Sequence, residues 1–319
     1  MRRAIHIARG TMTDLILHHF DASPFSEKVR LVLGLKQLSW KSVKVPIRLP
    51  KPDAVALTGG YRRTPFLQIG ADIYCDTKLM CQVIDRIAPE PPLYPAAATG
   101  MQHVLAQWAD SALFWAAVPY TLQPAGFAYA FGNVPPEEVQ ALAADRAAMT
   151  AGMRRATLVD ATAQLTSYLG WLESMLGGGQ PFLLGSAPCI ADVAVAHSLW
   201  FIRLAPPVAG VLAPFGKLAA WYDRVVALGH GRDEPLGPGD AIAIAARAGG
   251  HAPAAVEPGL GFEAGASVTV AATDYGTDPV AGTLVGLSAG EVVVERRDER
   301  AGTVHVHFPR IGFQIKKAS

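Results

Sequence analysis

The sequence predicts a multidomain chain that passes from an α/β region through an all-α region to a small antiparallel β module, and three observations predict it. Between Leu15 and Ile87 short apolar runs alternate with helical patterns. Between about Thr99 and Leu228 no strand-like alternation appears. From Gly259 onward SVTVAATD, GTLVGLS, GEVVVERRD, GTVHVHFP and GFQIK are short alternating segments separated by Gly, Asp and Pro, the punctuation of strands and tight turns. Three units follow, at residues 13–90, 98–230 and 258–319, in line with the two or three domains that 319 residues suggest.

In the first region the order is strand, helix, strand, connecting stretch, strand, strand, helix. LILHHF reads as the opening strand and EKVRLVLGLK as the helix after it. Val43, Val45 and Ile47 alternate with polar neighbours, as in a half-buried strand. PKPDAVALTGG accommodates one short helix ended by Gly59 and Gly60. FLQIG and DIYC follow as closely spaced strands, and Leu79, Met80, Val83, Ile84 and Ile87 then recur at helical spacing behind Thr77, which is placed to start that helix.

The proline-rich residues 85 to 95 read as an interdomain linker. Trp108, Ala112, Trp115, Val118 and Leu122 mark the first of five expected helices, with others near 136–155, 157–176, 189–204 and 214–228. Residues 229–258 are rich in Gly, Pro and Ala around the apolar run DAIAIAAR. The β module, at about 60 residues, is near the lower size limit for independent stability and is expected to pack on the rest of the chain.

Composition excludes several functions. Half of the residues are hydrophobic and 17% charged, and Lys plus Arg at 28 against Asp plus Glu at 27 leaves a net charge of +1, which argues against disorder and against a nucleic-acid-coating surface. The ERRDER run at 295–300 reads as a solvated hairpin turn. The whole stretch from Gly259 to Ser319 holds six basic against seven acidic residues, no basic footprint for nucleic acid. Mean hydropathy is +0.23, yet apolar stretches such as Val193 to Ile202 are interrupted and far shorter than the roughly 18 residues a membrane span needs.

Cys75, Cys81 and Cys189 form no CxxC pair, so neither a disulfide framework nor a zinc site is expected, and a reducing cytoplasm fits. The first eleven residues carry three arginines and no long apolar run, unlike a secretory signal, and Met12 is an alternative start to Met1. His18 and His19 point to opposite faces of a strand. His305 and His307 share one face, read as solvent-exposed, and no metal is expected.

The stretch richest in chemistry is His19-Phe20-Asp21-Ala22-Ser23-Pro24-Phe25-Ser26-Glu27-Lys28-Val29-Arg30. Ser23 sits where a helix N-cap belongs and Pro24 at the favoured first helical position. The N–H groups and positive dipole end of the helix that follows stabilise an anion near Ser23.

This run resembles the opening of the first helix in the cytosolic glutathione S-transferase superfamily, in the classes that use serine. Arg63-Thr64-Pro65-Phe66-Leu67 resembles the family's stretch around its cis-proline. Cys75-Asp76-Thr77 falls where the family has Glu-Ser before the third helix. Leu184 to Asp192 falls where it has a Ser/Thr-x-x-Asp capping box. The resemblance covers about residues 14–228. It implies a thioredoxin-like N-terminal domain, an all-helical C-terminal domain, bound glutathione as co-substrate, and a homodimer.

Carried over residue by residue, the resemblance implies that Ser23 hydrogen-bonds the glutathione sulfur and favours the thiolate. That asks for roughly 2.7 kcal/mol if the thiol pKa moves by about two units. Thr64 before Pro65 would pair its backbone with the cysteinyl unit. Asp76 would face the γ-glutamyl ammonium, Thr77 and its helix the carboxylate, and Arg63 would meet the glycyl carboxylate. No tyrosine precedes Tyr61 and no cysteine precedes Cys75, which leaves serine, with Ser26 as a second candidate.

Departures from the family pattern are Asp76, one methylene shorter than Glu, and Cys189, a poor acceptor whose helix would lack about 1 kcal/mol of capping. The β module lies outside the pattern. The implied activity is conjugation of glutathione to a small apolar electrophile in detoxification, with isomerisation or dehalogenation on the same scaffold left open. The alternative is a non-catalytic scaffold that presents the β module to a protein partner. Trp108, Phe114, Trp115 and Tyr120 either line the co-substrate pocket or form interhelical core.

Overall fold

The computed structural model describes residues 14–96 and 99–318, and for Thr99 the backbone alone. Met1 and Met12, the two alternative starts, lie outside the described residues.

The α/β half is built from β1 (Ile16–His19), α1 (Pro24–Leu35), β2 (Ser39–Lys44), α2 (Pro52–Thr58), β3 (Phe66–Ile69), β4 (Asp72–Cys75) and α3 (Thr77–Ile87). β1 pairs parallel with β2 and antiparallel with β3, which pairs antiparallel with β4: a thioredoxin-like sheet. Alternation sorts its faces. Leu15, Leu17 and Leu67 join α1, α3 and the helical domain in one core, while Phe66, Ile73 and Cys75 face α2 on the other side. Gly59 ends α2 in the left-handed region at φ 76°. α3 is capped by Asp76 rather than Thr77. The Asp76 carboxylate accepts from Lys78 N at 2.9 Å, and Thr77 is the first helical residue.

The helical half holds α4 (Thr99–Trp108), a π-helical turn over Ala109–Leu113 and α5 (Phe114–Thr121) in one continuous rod. α6 (Pro124–Phe131), α7 (Pro136–Met149), α8 (Leu158–Met175), α9 (Ile190–Arg203) and α10 (Gly216–Val226) follow. α6 was not expected; Pro124 at its first position starts it, two residues after α5 has stopped. α9 starts in a capping box: the Cys189 thiol, a weak acceptor, takes the backbone N–H of Asp192, and the reciprocal bond is made by the side chain of Asp192. Its carboxylate takes hydrogen bonds from Cys189 N (2.9 Å), Cys189 Sγ (3.3 Å), Leu183 N (2.9 Å) and Trp221 Nε1 (2.8 Å).

The C-terminal segment carries β5 (Arg232–Pro235), α11 (Pro238–Arg247) and the strands β6 (Ser267–Ala272), β7 (Val280–Leu287), β8 (Glu291–Asp298), β9 (Gly302–Pro309) and β10 (Phe313–Lys317). β5 shows no apolar pattern and is exposed throughout; its pairing with β2, with Lys41 bonded to Glu234 and Trp40 Nε1 donating to the His230 carbonyl, makes it a strand.

β6 to β10 form the expected antiparallel sheet, and it does not stand apart. β9 pairs parallel with β4, so one ten-stranded sheet runs β10-β6-β7-β8-β9-β4-β3-β1-β2-β5. Val304, Val306 and Phe308 of β9, with Val292 and Val294 of β8, merge with Ala54, Leu57, Phe66 and Ile73 into one core.

The same alternation overturns the reading of His305 and His307 as solvent-facing. They lie on the opposite sheet face, 9% and 2% exposed, because β4 and the loop carrying His251 cover it. ERRDER is a turn only at its end: Glu295 to Asp298 are the last residues of β8, paired with β9 and with Glu295 set against His305, and Glu299 and Arg300 make the turn.

A shared core makes the module's stability common to the whole α/β half. Phe308→Ala is expected to cost about 3–5 kcal/mol. Every tryptophan lies at or before residue 221, so denaturant unfolding followed by tryptophan fluorescence tests the coupling: the midpoint falls if the core is shared and stays put if the module unfolds alone.

Candidate active-site cleft

A cleft lies where the two halves and the module meet. Thr64, Pro65, Asp76 and Thr77 line it together with Arg63.

The turn into β3 presents Thr64 and Pro65 through a cis peptide bond, and the Thr64 hydroxyl accepts from Lys51 Nζ at 3.0 Å. Burial lowers the Lys51 pKa to about 8, with Arg146 adding to the effect. Asp76 stands at φ 73°, unusual for a residue with a side chain, and turns the chain so that the N-terminus of α3 opens on the cleft. Burial raises the Asp76 pKa, against the Lys78 N–H bond and the charge of Arg63.

Behind Thr77 lies a buried charge network that the sequence reading did not find. Lys28, one turn into α1, is 1% exposed; its ammonium donates to Asp110 Oδ2 at 2.5 Å and to the Thr77 hydroxyl at 3.3 Å. His197 Nε2 lies 3.1 Å from the other Asp110 oxygen. Burial alone would raise the Asp110 pKa, but the Lys28 charge and the His197 bond hold it below the usual carboxylate range. Asp110 belongs to the π-helical turn, whose extra residue has no counterpart in a heptad-like pattern.

Arg63 is 9% exposed and committed to the β6–β7 loop. Nε donates to the Tyr275 carbonyl at 3.0 Å, Nη2 bonds both that carbonyl and the Asp274 carboxylate, and the guanidinium stacks 3.8 Å from the Tyr275 ring centroid. Its Nη1 stays 3.9 Å from Asp76 Oδ2. The module thus completes the cleft: Asp274 and Tyr275 from one loop and Ile311, Gly312 and Phe313 from another form its outer wall. The available signal was the DYG turn of ATDYGTD, an acid and an aromatic at a hairpin tip.

Ser23 does not line this cleft. It is 2% exposed at the N-cap of α1, where its hydroxyl accepts from Ser26 N at 3.1 Å; Phe25, two residues on, reaches the cleft wall. Ser26 is fully buried and its hydroxyl has no partner. Trp108, Phe114, Trp115 and Tyr120 do not line the cleft either. They pack on Tyr168, on Phe25 and His197, on Tyr275, and against the Val208 carbonyl.

The chain was compared with known proteins. A GST-like protein of Pseudomonas syringae is 40% identical, with a TM-score of 0.80, over 96% of this chain and all of that one, a match too long to leave out the β module. A glutathione S-transferase of Rhodospirillum rubrum F11, 19% identical over 67% of this chain and 88% of its own, has a TM-score of 0.52 and speaks for the fold alone. Pyrimidodiazepine synthase of Drosophila melanogaster is 29% identical over 106 residues, 30% of this chain; the chain spans less than half, 43%, of that enzyme. No helix among the described residues is long and apolar enough to cross a membrane. Models of the glutathione S-transferase N-terminal and C-terminal domains match residues 17–92 and 136–224, more than half of the chain, so the protein belongs to the glutathione S-transferase superfamily.

Proposed function

We propose that the protein is a glutathione transferase that binds glutathione in this cleft and adds its sulfur to a small apolar electrophile. The observation that carries the reading is the convergence of the cis Thr64–Pro65 peptide and the Asp76-capped N-terminus of α3 on one cleft, in a chain of this family.

In that reading the cysteinyl unit hydrogen-bonds the Thr64 backbone. The γ-glutamyl ammonium faces Asp76, and its carboxylate meets the first N–H groups of α3 beside Thr77 and Lys78. The glycyl end lies toward Arg63. The sulfur is directed to the Phe25 side, near the start of α1, where the helix dipole favours the thiolate. Ser23 accepts one hydrogen bond and keeps its own proton to donate. The thiolate attacks an electrophilic carbon, a C–S bond forms, and the leaving group departs with its electron pair. Phe25, Tyr61, Tyr275, Ile311 and Phe313 supply the apolar surface for that partner. A homodimer follows from the family and suits the exposed Met101 and Val104 of α4; sedimentation reads it directly.

Glutathione binding by calorimetry tests the reading, and Asp76→Asn is expected to weaken it about 10- to 100-fold, the worth of a charge-assisted hydrogen bond. Unchanged affinity in Asp76→Asn, or none in the wild type, removes the proposal. Because burial raises the Asp76 pKa and only the carboxylate pairs with the ammonium, affinity falls on acidification, and begins to fall at higher pH than for an ordinary aspartate. Ser23→Ala loses a helix cap, about 1 kcal/mol of stability, whatever its other role. A thiol role shows separately, as lost thiolate ultraviolet absorbance in the glutathione complex and slower conjugation of an aryl halide. Tyr275→Ala removes the outer wall and is expected to lower kcat/KM for the electrophile about tenfold, while the glutathione Kd changes less.

A further inference from the structure

Across the β4–β9 seam, outside the cleft, the chain assembles a second polar constellation, and we propose that it is a binding site for one divalent transition-metal ion of the zinc class. Asp72 opens β4, His305 is its register partner on β9, and His251 hangs over both from the loop after α11. One donor atom from each residue lies within 4.8 Å of the other two.

Their geometry points to a shared ligand. His251 Nδ1 is 3.5 Å and His305 Nδ1 3.9 Å from Asp72 Oδ1; the two imidazoles stack with centroids 3.6 Å apart and planes 11° from parallel, so the loop-borne His251 ring turns about its Cβ–Cγ bond for both lone pairs to meet one ion. Both Nδ1 atoms are buried without a hydrogen-bond partner, and His305 as a whole is 9% exposed. Buried polar atoms are ordinarily satisfied, so two orphan imidazole nitrogens facing one carboxylate oxygen need an explanation. A tetrahedral ion at 2.0–2.1 Å from each donor would set them roughly 3.3 Å apart, so His251 and His305 each close on Asp72 from their present 3.5 and 3.9 Å.

The surroundings fit as well. Glu295 Oε2 lies 3.4 Å from His305 Nε2, the carboxylate behind the histidine that orients a metal ligand. His307 Nε2 donates to Asp72 Oδ1 at 3.0 Å and Ala252 N to Oδ2 at 2.8 Å, which fixes the carboxylate. Asp72, Glu291 and Glu295 bring negative charge to balance a dication. Two imidazoles and one carboxylate select zinc, cobalt or nickel over magnesium or calcium and leave a fourth position for water. The side chain of His251 is 23% exposed and gives the ion a way in. The ion would clasp the module to the thioredoxin-like sheet at the seam itself.

The test uses the untagged full-length chain, stripped with a chelator and titrated with Co²⁺ and then Zn²⁺. One ion per chain, a visible Co²⁺ ligand-field spectrum displaced by Zn²⁺, and a thermal midpoint raised by the metal are expected. His251→Ala, in a loop, keeps the metal-free midpoint and loses the spectrum, with affinity at least tenfold weaker. Asp72→Asn weakens binding likewise, and His103→Ala leaves it intact. Substoichiometric uptake, or equal binding by wild type and His251→Ala, overturns the site. Glutathione binding in the cleft plays no part in either outcome.

Discussion

The parallel pairing of β9 with β4 is the joint on which the rest of the molecule depends. In a thioredoxin-like sheet β4 is an edge, with unpaired N–H and C=O groups that must be covered, blunted or paired. Here three residues, Asp72, Ile73 and Tyr74, take His305, Val306 and His307 as register partners, and the sheet continues through five more strands. Once the register is set, alternation does the rest. Val304, Val306 and Phe308 must fall on the face that α2 covers, and His305 and His307 must fall with Asp72 and Tyr74 on the other. A slip of one residue would drive both histidines into an apolar core. The pairing also fixes how far the β6–β7 and β9–β10 turns reach, which brings Tyr275 and Phe313 to the cleft.

A second constraint acts inside the helical half. The Lys28 ammonium, withdrawn from water, is tolerable only because Asp110 and Thr77 surround it, and Asp110 only because Lys28 and His197 do. Removing one partner of such a pair leaves an uncompensated buried charge, typically a loss of 3–5 kcal/mol, although the intact pair adds little net stability. What the network provides is register. α1 carries Lys28, α3 begins at Thr77, the π-helical turn aims Asp110, and α9 supplies His197, so the N-terminal ends of α1 and α3 are held at a set distance from the helical domain. The cleft inherits that rigidity.

Much of this was legible in the sequence where the signal is local. Alternation in VHVHF, the Ser-Pro start of α1, the Thr-Pro of β3 and the helical stripe of α3 each depend on neighbours a few residues apart, and the elements stand where those patterns put them; VKVPI does not, for β2 ends at Lys44, ahead of Pro46, and Ile47 is exposed. The illegible parts are those set by distant partners. RDEP becomes β5 only because β2 offers an edge. Cys189 read as a weak cap because the compensating acceptor, Asp192, also serves Trp221 and Leu183, and those contacts do not show in the spacing. The four candidate aromatics stay off the cleft, Trp115 packing on Tyr275 of the β6–β7 loop, and the outer part of the lining comes from the module, with Tyr275 some 200 positions from Arg63. Histidines on the polar face of a strand looked solvated because nothing nearby in sequence announces that Asp72 and His251 will close over them.

Arg63 ties these threads together. Its guanidinium holds the β6–β7 loop through Asp274 and the Tyr275 carbonyl and lies flat on the Tyr275 ring, so the charge that the family resemblance assigns to the glycyl carboxylate is already largely matched by Asp274. Lys28 is likewise matched by Asp110. Of the positive features lining the cleft, the α3 N-terminus and Lys78 are left to meet an incoming anion, and Asp76 stands between them ready for a cation. An ammonium and a carboxylate on one carbon, as at the γ-glutamyl end of glutathione, satisfy that arrangement together, whereas a second free carboxylate finds its partner occupied. On the proposed reading, recognition therefore rests on the zwitterionic end of the substrate. The module then acts as more than an outer wall: by neutralising Arg63 it shifts the cleft from holding a dianion toward holding a zwitterion beside an apolar partner.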